Sequence, residues 1–210
     1  PVSYFGGIVG FNCEVDSQTA EALIKPYLEC IIAPSYSDEA LAIFKKKKNL
    51  RVVEAGSKYM NIGNSLRSVA GGFLYQKNDS QQGELNNYQV KTVKSPNQNE
   101  LNALILGWIL VRHVKSNAIV FSNDTQLLGV GAGQMSRVDS VKIAIQKVLE
   151  SGLNLQGASM ASDAFFPFPD CVEIAAEAGI SNIIQPGGSI KDESVIQKAN
   201  ELEMSMVFTG

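Results

Sequence analysis

Apolar and polar positions along this chain alternate between short strand-like runs and helical periods. Near the start, "GIVGF" reads as a glycine-broken strand. "DSQTAEALIK" follows, with Asp16 or Ser17 placed to cap a short helix that stops near Pro26. "LECIIA" and "LRVVEA" are strand candidates on either side of "SDEALAIFKKKK", whose Ser37 cap, leading acids and trailing lysines match the polarity of a helix dipole. Strand and helix in alternation predict an α/β fold with helices laid on a sheet.

Between residues 56 and 98 the pattern changes. Two strand-like runs flank a polar loop from Lys77 to Asn87, an excursion between two α/β halves. "SPNQNELNALILGWILVRHVKS" then predicts the longest helix, with Ser95 as N-cap, Pro96 at the first helical position and Gln98 closing a capping box. Nearly every residue from Leu101 to Val111 is apolar, so this helix is expected to be buried on several sides, between layers or at a subunit interface. "NAIVFS" and "TQLLGVG" read as strands around an Asn123-Asp124 turn. "SRVDSVKIAIQKVLES" is an amphipathic helix with Val138, Val141, Ala144, Ile145, Val148 and Leu149 on one face. Alternation resumes with helix "DCVEIAAEAG", strand "SNIIQP", helix "KDESVIQKANEL" and strand "MSMVF".

Composition narrows the class. The 210 residues are 45% hydrophobic and 19% charged, enough for a packed core, and a net charge of −3 gives no footprint for nucleic acid. The lysine run 45–48 reads as a solvated helix end. Cys13, Cys30 and Cys171 are too few and too scattered for a disulfide framework or a zinc site, so a reducing cytoplasm is expected. The longest apolar run is too short for a bilayer, and no membrane association is expected. The opening "PVSYFGG" without an initiator Met, and the close on "VFTG", lead us to expect a segment of a longer chain.

Candidate chemistry gathers at strand-to-helix junctions. "GVGAGQMSRV" runs strand, glycine turn, helix, and Arg137 adds a forked cation where glycines would let backbone N–H groups approach an anion. The glycine spacing fits neither a Walker loop nor a dinucleotide fingerprint, so a tight turn without a ligand stays equally open. "QPGGSIKD" is a second such junction, with Ser189 or Asp192 able to cap the helix. Asn117 could pair with a carboxamide or simply stop a helix. His113, the only histidine, is expected in the core or at an interface, and a zinc deaminase site is excluded. "SMASDAFFPFPD" combines Phe165, Phe166 and Phe168 with Pro167 and Pro169, which forbid a central strand. It is either a rigid aromatic wall at a binding site or a hydrophobic plug.

The stretches "SYFGGIVGFN", "IIAPSYSDEAL", "KSNAIV", "GVGAGQMSRV", "SMASDAFFPFPDCVEIAAEAGI", "IIQPGGSIKD" and "MVFTG", in this order and spacing, resemble the AICAR transformylase domain of bifunctional purine-biosynthesis enzymes. The resemblance covers nearly the whole chain. It implies a three-layer α/β/α, cytidine-deaminase-like fold of two similar subdomains. Residues 1–95 would be a partial first subdomain with the excursion, and 96–210 the second. It implies formyl transfer from 10-formyltetrahydrofolate to AICAR, giving FAICAR and tetrahydrofolate, with the full protein also closing FAICAR to IMP. A homodimer with sites at its interface, no zinc and a bound potassium ion are further implications.

Carried over residue by residue, AICAR would meet Gly6, Glu29, Asn117, Arg137 and Phe165. The folate would meet Val138, Asp170, Ser189 and Ile190, with Phe168 walling the pterin, and Asp163 would lie near the potassium ion. The pattern departs from the family at its chemistry. The family's Lys-His pair is absent here, since the single histidine sits in "RHV", and so is the basic tail expected after "FTG". No catalytic residue is therefore expected in this chain; the pair is expected upstream, and the segment alone is expected to be inactive. The alternative is a non-catalytic nucleotide- or folate-binding or dimerisation fragment that lacks the pair.

Overall fold

The computed structural model describes residues 4–56, 63–78 and 87–210. It divides into two compact units, Pro1–Ser80 and Gln81–Gly210. Both mix helices and strands, so the chain is an α/β protein.

Unit 1 is built on three parallel strands, β1 (Gly7–Gly10), β2 (Leu28–Ala33) and β3 (Arg51–Glu54), in the order β1-β2-β3. Helices α1 (Ser17–Leu23) and α2 (Asp38–Phe44) make the connections and pack on each other. Their starts follow the side chains: Asp16 accepts from the Thr19 N–H at 2.8 Å and Ser37 from the Ala40 N–H at 3.1 Å. Val15, Ala20, Ile31, Ala40 and Phe44 close the core. The lysine run is a solvated helix end, as expected: α2 ends at Phe44, Lys45 is its C-cap, and the exposed Lys46 to Lys48 lie in the turn beyond.

Strands β4 (Asn64–Val69) and β5 (Gly72–Lys77) form an antiparallel hairpin turned at Gly71, where φ is +83°. β4 had no counterpart in the sequence reading, because "NSLRSV" has no buried alternation; its residues are exposed or half-buried. Residues 79–86 of the expected polar loop lie outside the described residues.

Unit 2 holds a six-stranded sheet in the order β6-β11-β10-β9-β7-β8. Its strands are β6 (Gln89–Val90), β7 (Ile119–Ser122), β8 (Leu127–Gly131), β9 (Ser159–Ser162), β10 (Asn182–Gln185) and β11 (Ser205–Phe208). β9, β10 and β11 run parallel, while β7 and β6 are antiparallel to their neighbours β9 and β11. Four of these strands, β7, β9, β10 and β11, are buried along their whole length, as a sheet covered on both faces must be.

The pleat sorts the side chains. Ile119, Phe121, Met160, Ile183 and Met206 face a cluster shared with α4 (Arg137–Glu150), α5 (Asp170–Glu177) and α6 (Asp192–Glu201). Val120, Ala161, Ile184 and Val207 face α3 (Gln98–Val111). α3 comes close enough that a Cβ on Gly107 would lie 2.8 Å from Ser122 Oγ. It is fully buried at Ala103, Leu104, Gly107 and Val111 and half-buried at Ile105, Leu106, Trp108 and Ile109.

Three expectations are corrected in unit 2. The α3 N-cap is Asn97 rather than Ser95. Its side chain accepts from the Glu100 N–H at 3.0 Å, and the Glu100 carboxylate accepts from the Asn97 N–H at 2.7 Å. The reciprocal box needs partners three apart with an acid at the second position, which Asn97 and Glu100 supply and Ser95 and Gln98 do not. Leu149 is 67% exposed and leaves the apolar face of α4 one residue after the buried Val148. The core placement expected for His113 is corrected, since it is exposed in the turn after α3, where its Nε2 accepts from Arg112 Nε.

Candidate functional site

The pairing registers bring the sequence's candidate junctions to one end of the unit 2 sheet. Ile119, at the start of β7, is level with Gly131 at the end of β8 and with Ser162 at the end of β9. β10 runs parallel to β9 and ends at Gln185. Asn117, the Gly131–Arg137 turn, the Asp163–Pro169 loop and the "QPGGSIKD" junction therefore share the carboxyl-end rim of the parallel strands. In open α/β sheets that rim is where ligands bind.

Arg137 is the hub of this rim. It opens α4, and its guanidinium reaches three elements. Nε donates to Ser162 Oγ at 2.8 Å, Nη1 to Asn117 Oδ1 at 2.8 Å and Nη2 to Asp163 Oδ1 at 2.7 Å. The Arg137 and Asp163 side chains are only 10% and 15% exposed, so this pair is largely shielded from water. Asp163 Oδ1 also accepts from the Ala118 N–H at 3.1 Å, and Oδ2 accepts from the Ser116 hydroxyl. Asn117 Nδ2 donates to the Gln134 carbonyl at 2.8 Å, and the Asn117 backbone carbonyl accepts from Ser140 Oγ at 2.7 Å. One N–H on each Nη of Arg137 and one on Asn117 Nδ2 have no partner among the described residues.

The glycines of "GVGAG" serve packing. A Cβ on Gly131 would lie 1.9 Å from the Ser140 carbonyl oxygen, and one on Gly129 would lie 2.5 Å from Val148 Cγ2. They let α4 settle on β8, which seats Arg137 over the strand ends. Gly133, at φ +67°, alone makes the turn.

The aromatic loop divides its rings between plug and wall. Phe166 is fully buried, while Phe165 and Phe168 are 42% and 58% exposed. The Phe166 N–H donates to the buried Gln185 Oε1 at 2.9 Å, and Ser162 Oγ donates to the Ala164 carbonyl at 2.7 Å. Pinned at both points and stiffened by Pro167 and Pro169, the loop presents its two outer rings from a fixed backbone.

Of the remaining candidates, Val138 is half-buried against the α4–α6 core. Asp170 opens α5, where its Oδ1 accepts from the Cys171 N–H at 2.8 Å. Burial first, and the neighbouring Asp170 carboxylate second, push the Cys171 thiol up to about 12 against the opposing charge of Arg137. Ser189 Oγ accepts from the Lys191 N–H, and Ile190 is fully exposed. Neither Ser189 nor Asp192 makes a side-chain cap on α6; Lys191 holds the N-cap position, and Asp192 Oδ2 accepts from the Gly188 N–H instead. In unit 1, Gly6 turns at φ +74°, and a Cβ there would lie 3.3 Å from Glu29 Oε1, so these two candidates are neighbours. Glu29 is paired with Arg51 at 3.5 Å on an open surface.

Sequence reasoning missed Ser116, Ser162, Ser140 and Gln185. Gln185 carried a signal: it is the polar end of the otherwise buried strand "NIIQ". The serines carried none, because a hydroxyl beside a junction is common in any turn. Two cavities, of about 350 Å³ in unit 1 and about 440 Å³ beside Gly187, Gly188 and Asp192 in unit 2, are lined by none of Asn117, Arg137 and Phe165. Among the described residues no three His, Cys, Asp or Glu side chains gather as a transition-metal site would need.

Fold and site together define an α/β protein with a shielded arginine hub and an aromatic wall at the carboxyl ends of its strands. Residues 1–147 match the family described as AICARFT/IMPCHase bienzyme, and the chain belongs to that family. Similar proteins extend the match to the full length. "Bifunctional purine biosynthesis protein PurH" of Bacillus cytotoxicus is 51% identical over 211 residues, covering 100% of this chain and 41% of that protein. Its namesake in Shouchella clausii is 49% identical, covering 100% and 40%. That of Listeria monocytogenes serotype 4b is 52% identical over 207 residues, covering 99% and 40%. The chain thus spans about two fifths of the length of these relatives.

Proposed function

We propose that this chain is part of an AICAR formyltransferase that also carries IMP cyclohydrolase activity, acting in purine biosynthesis. The observation that carries the reading is the Arg137 hub: one guanidinium ties together Asn117, Ser162 and Asp163 at a strand-end rim. That is the set a small carboxamide-bearing heterocycle would need. The free Asn117 N–H and the remaining Arg137 N–H groups would donate to AICAR, and Phe165 would stack on it. Gly6 and Glu29, neighbours in unit 1, are kept as AICAR contacts on the resemblance. On the folate side, Phe168 would wall the pterin of 10-formyltetrahydrofolate and Asp170 would accept from its N–H donors. Val138, Ser189 and Ile190 would complete that side.

The AICAR amine would attack the formyl carbon, the C–N bond to the folate would break, and the proton lost by the amine would end on the folate nitrogen. That amine is a weak nucleophile, because its lone pair is delocalised, so the step needs a base and charge stabilisation at the formyl oxygen. Arg137, held by Asp163, supplies a positioned cation but no base. The Lys-His pair is assigned to residues outside this sequence. A potassium ion is compatible with Asp163, whose Oδ2 accepts from the Ser116 hydroxyl. These two oxygens are the hard ligands such an ion takes.

The proposal includes the three-layer, cytidine-deaminase-like fold, subdomains at 1–95 and 96–210, a cytoplasmic location and a homodimer. Helices on both faces of the unit 2 sheet support the layering. The half-buried apolar residues of α3 support a partner surface, and they equally support the second reading, a dimerisation fragment without chemistry.

Formyl transfer by the longer protein containing this chain tests the site. Asn117→Ala is expected to lower kcat/KM about 10- to 100-fold, the effect of one or two lost hydrogen bonds. An unchanged kcat/KM with AICAR would remove Asn117 from the site.

A further inference from the structure

The cavity of about 350 Å³ in unit 1 is not used by the proposed reaction. Tyr27, Leu28 and Leu50 are among its apolar lining, and Lys25, Lys46, Lys47 and Lys48 line it as well. The backbone fixes those lysines in two tight turns. The Lys25 N–H donates to the Ala22 carbonyl just past α1, and the Lys46 and Lys47 N–H groups donate to Ile43 and Phe44 at the end of α2. The Leu50 N–H then closes back on the Lys47 carbonyl.

Two helix ends converge here, and each supplies only about half a negative charge. Four ammonium groups therefore outweigh them. None of the four is ion-paired among the described residues, where the pairs involve Arg51, Arg137 and Lys198. All four lysines are exposed. In a chain of net charge −3 this is a local excess of cations, held together against their own repulsion.

The geometry points to a second binding site for a small anion with at least two negative charges on a compact apolar or aromatic body. The charges would sit among the lysines, and the body would rest on Tyr27, Leu28 and Leu50. The volume falls at the lower end of small-molecule sites. Both a nucleotide and an aromatic polycarboxylate have this chemistry.

Titration calorimetry of the whole chain with ADP, benzene-1,2,4-tricarboxylate and adenosine tests the proposal. Saturable binding of one or both anions is expected, with none for adenosine and an affinity that falls as salt rises. The tighter of the two anions identifies the source, phosphate or carboxylate. The triple change Lys46→Ala, Lys47→Ala and Lys48→Ala is expected to weaken binding at least tenfold. It alters only exposed side chains, and circular dichroism would check that the fold is intact. Asn117→Ala is expected to leave it unchanged, which separates this site from the one in unit 2. No binding of either anion, or binding that survives the triple change, would overturn the proposal.

Discussion

At the scale of single residues, the site depends on groups whose neighbours are already decided. Arg137 could have been a free cation waiting for an anion. Instead three protein partners hold it, so it is a rigid donor with little freedom left to lose when a ligand arrives. Cys171 sits under the same rim and yields a pH prediction. Its thiol is held at about 12 against an ordinary 9.0, so between those values the folded protein keeps a proton that the unfolded chain releases. The stability tied to this proton is complete below pH 9 and is lost as pH rises toward 12. Urea unfolding at pH 8 and pH 10 is expected to show a drop that Cys171→Ala reduces. Gly131→Ala makes a sharper case. The new methyl would run into the Ser140 backbone, so a loss on the order of 3 kcal/mol is expected in the same unfolding measurement.

At the scale of elements, what could be read from the chain was what has a period or a cap. Strands "LECIIA" and "SNIIQ" and helices α4 to α6 are near their expected positions, because burial on a sheet leaves a repeating apolar signal. The α3 boundary moved because Asn97 and Glu100 compete better than Ser95 and Gln98 for the same backbone donors. The β4 strand was illegible because its pairing is held by backbone bonds with no core beneath it. The candidate cluster was legible in its members Asn117, Arg137 and Phe165. Its wiring was not, since hydrogen bonds between residues 20 to 47 positions apart leave no local trace. Gln185 shows how an element serves the loop above it. Gln185→Leu leaves the buried Phe166 N–H without its acceptor, at a cost of about 1–3 kcal/mol. Faster amide exchange at Phe166 is expected, along with weaker folate-analogue binding by the longer protein. Unchanged exchange would show that the proline pair alone holds the loop.

At the scale of the whole molecule, the proposed reading gives this chain the walls of a site and places the reacting base outside it. Its one histidine is exposed beside Arg112, with no lysine before it to form the Lys-His pair. A formyl-transfer assay on this chain alone is therefore expected to show no turnover, and measurable turnover would place the missing base within these residues.

The way unit 2 is sewn shut also governs when it can form. Among the described residues β6, the first strand of the unit, pairs in the sheet with β11, the last, and Thr92, Val93 and Lys91 are tied to Met206 and Asn200. On the ribosome, residues 89–93 must wait for more than a hundred others to emerge before their partners exist. The opening segment of this unit is thus the last to find its place, and during synthesis it is the stretch most in need of a chaperone's cover.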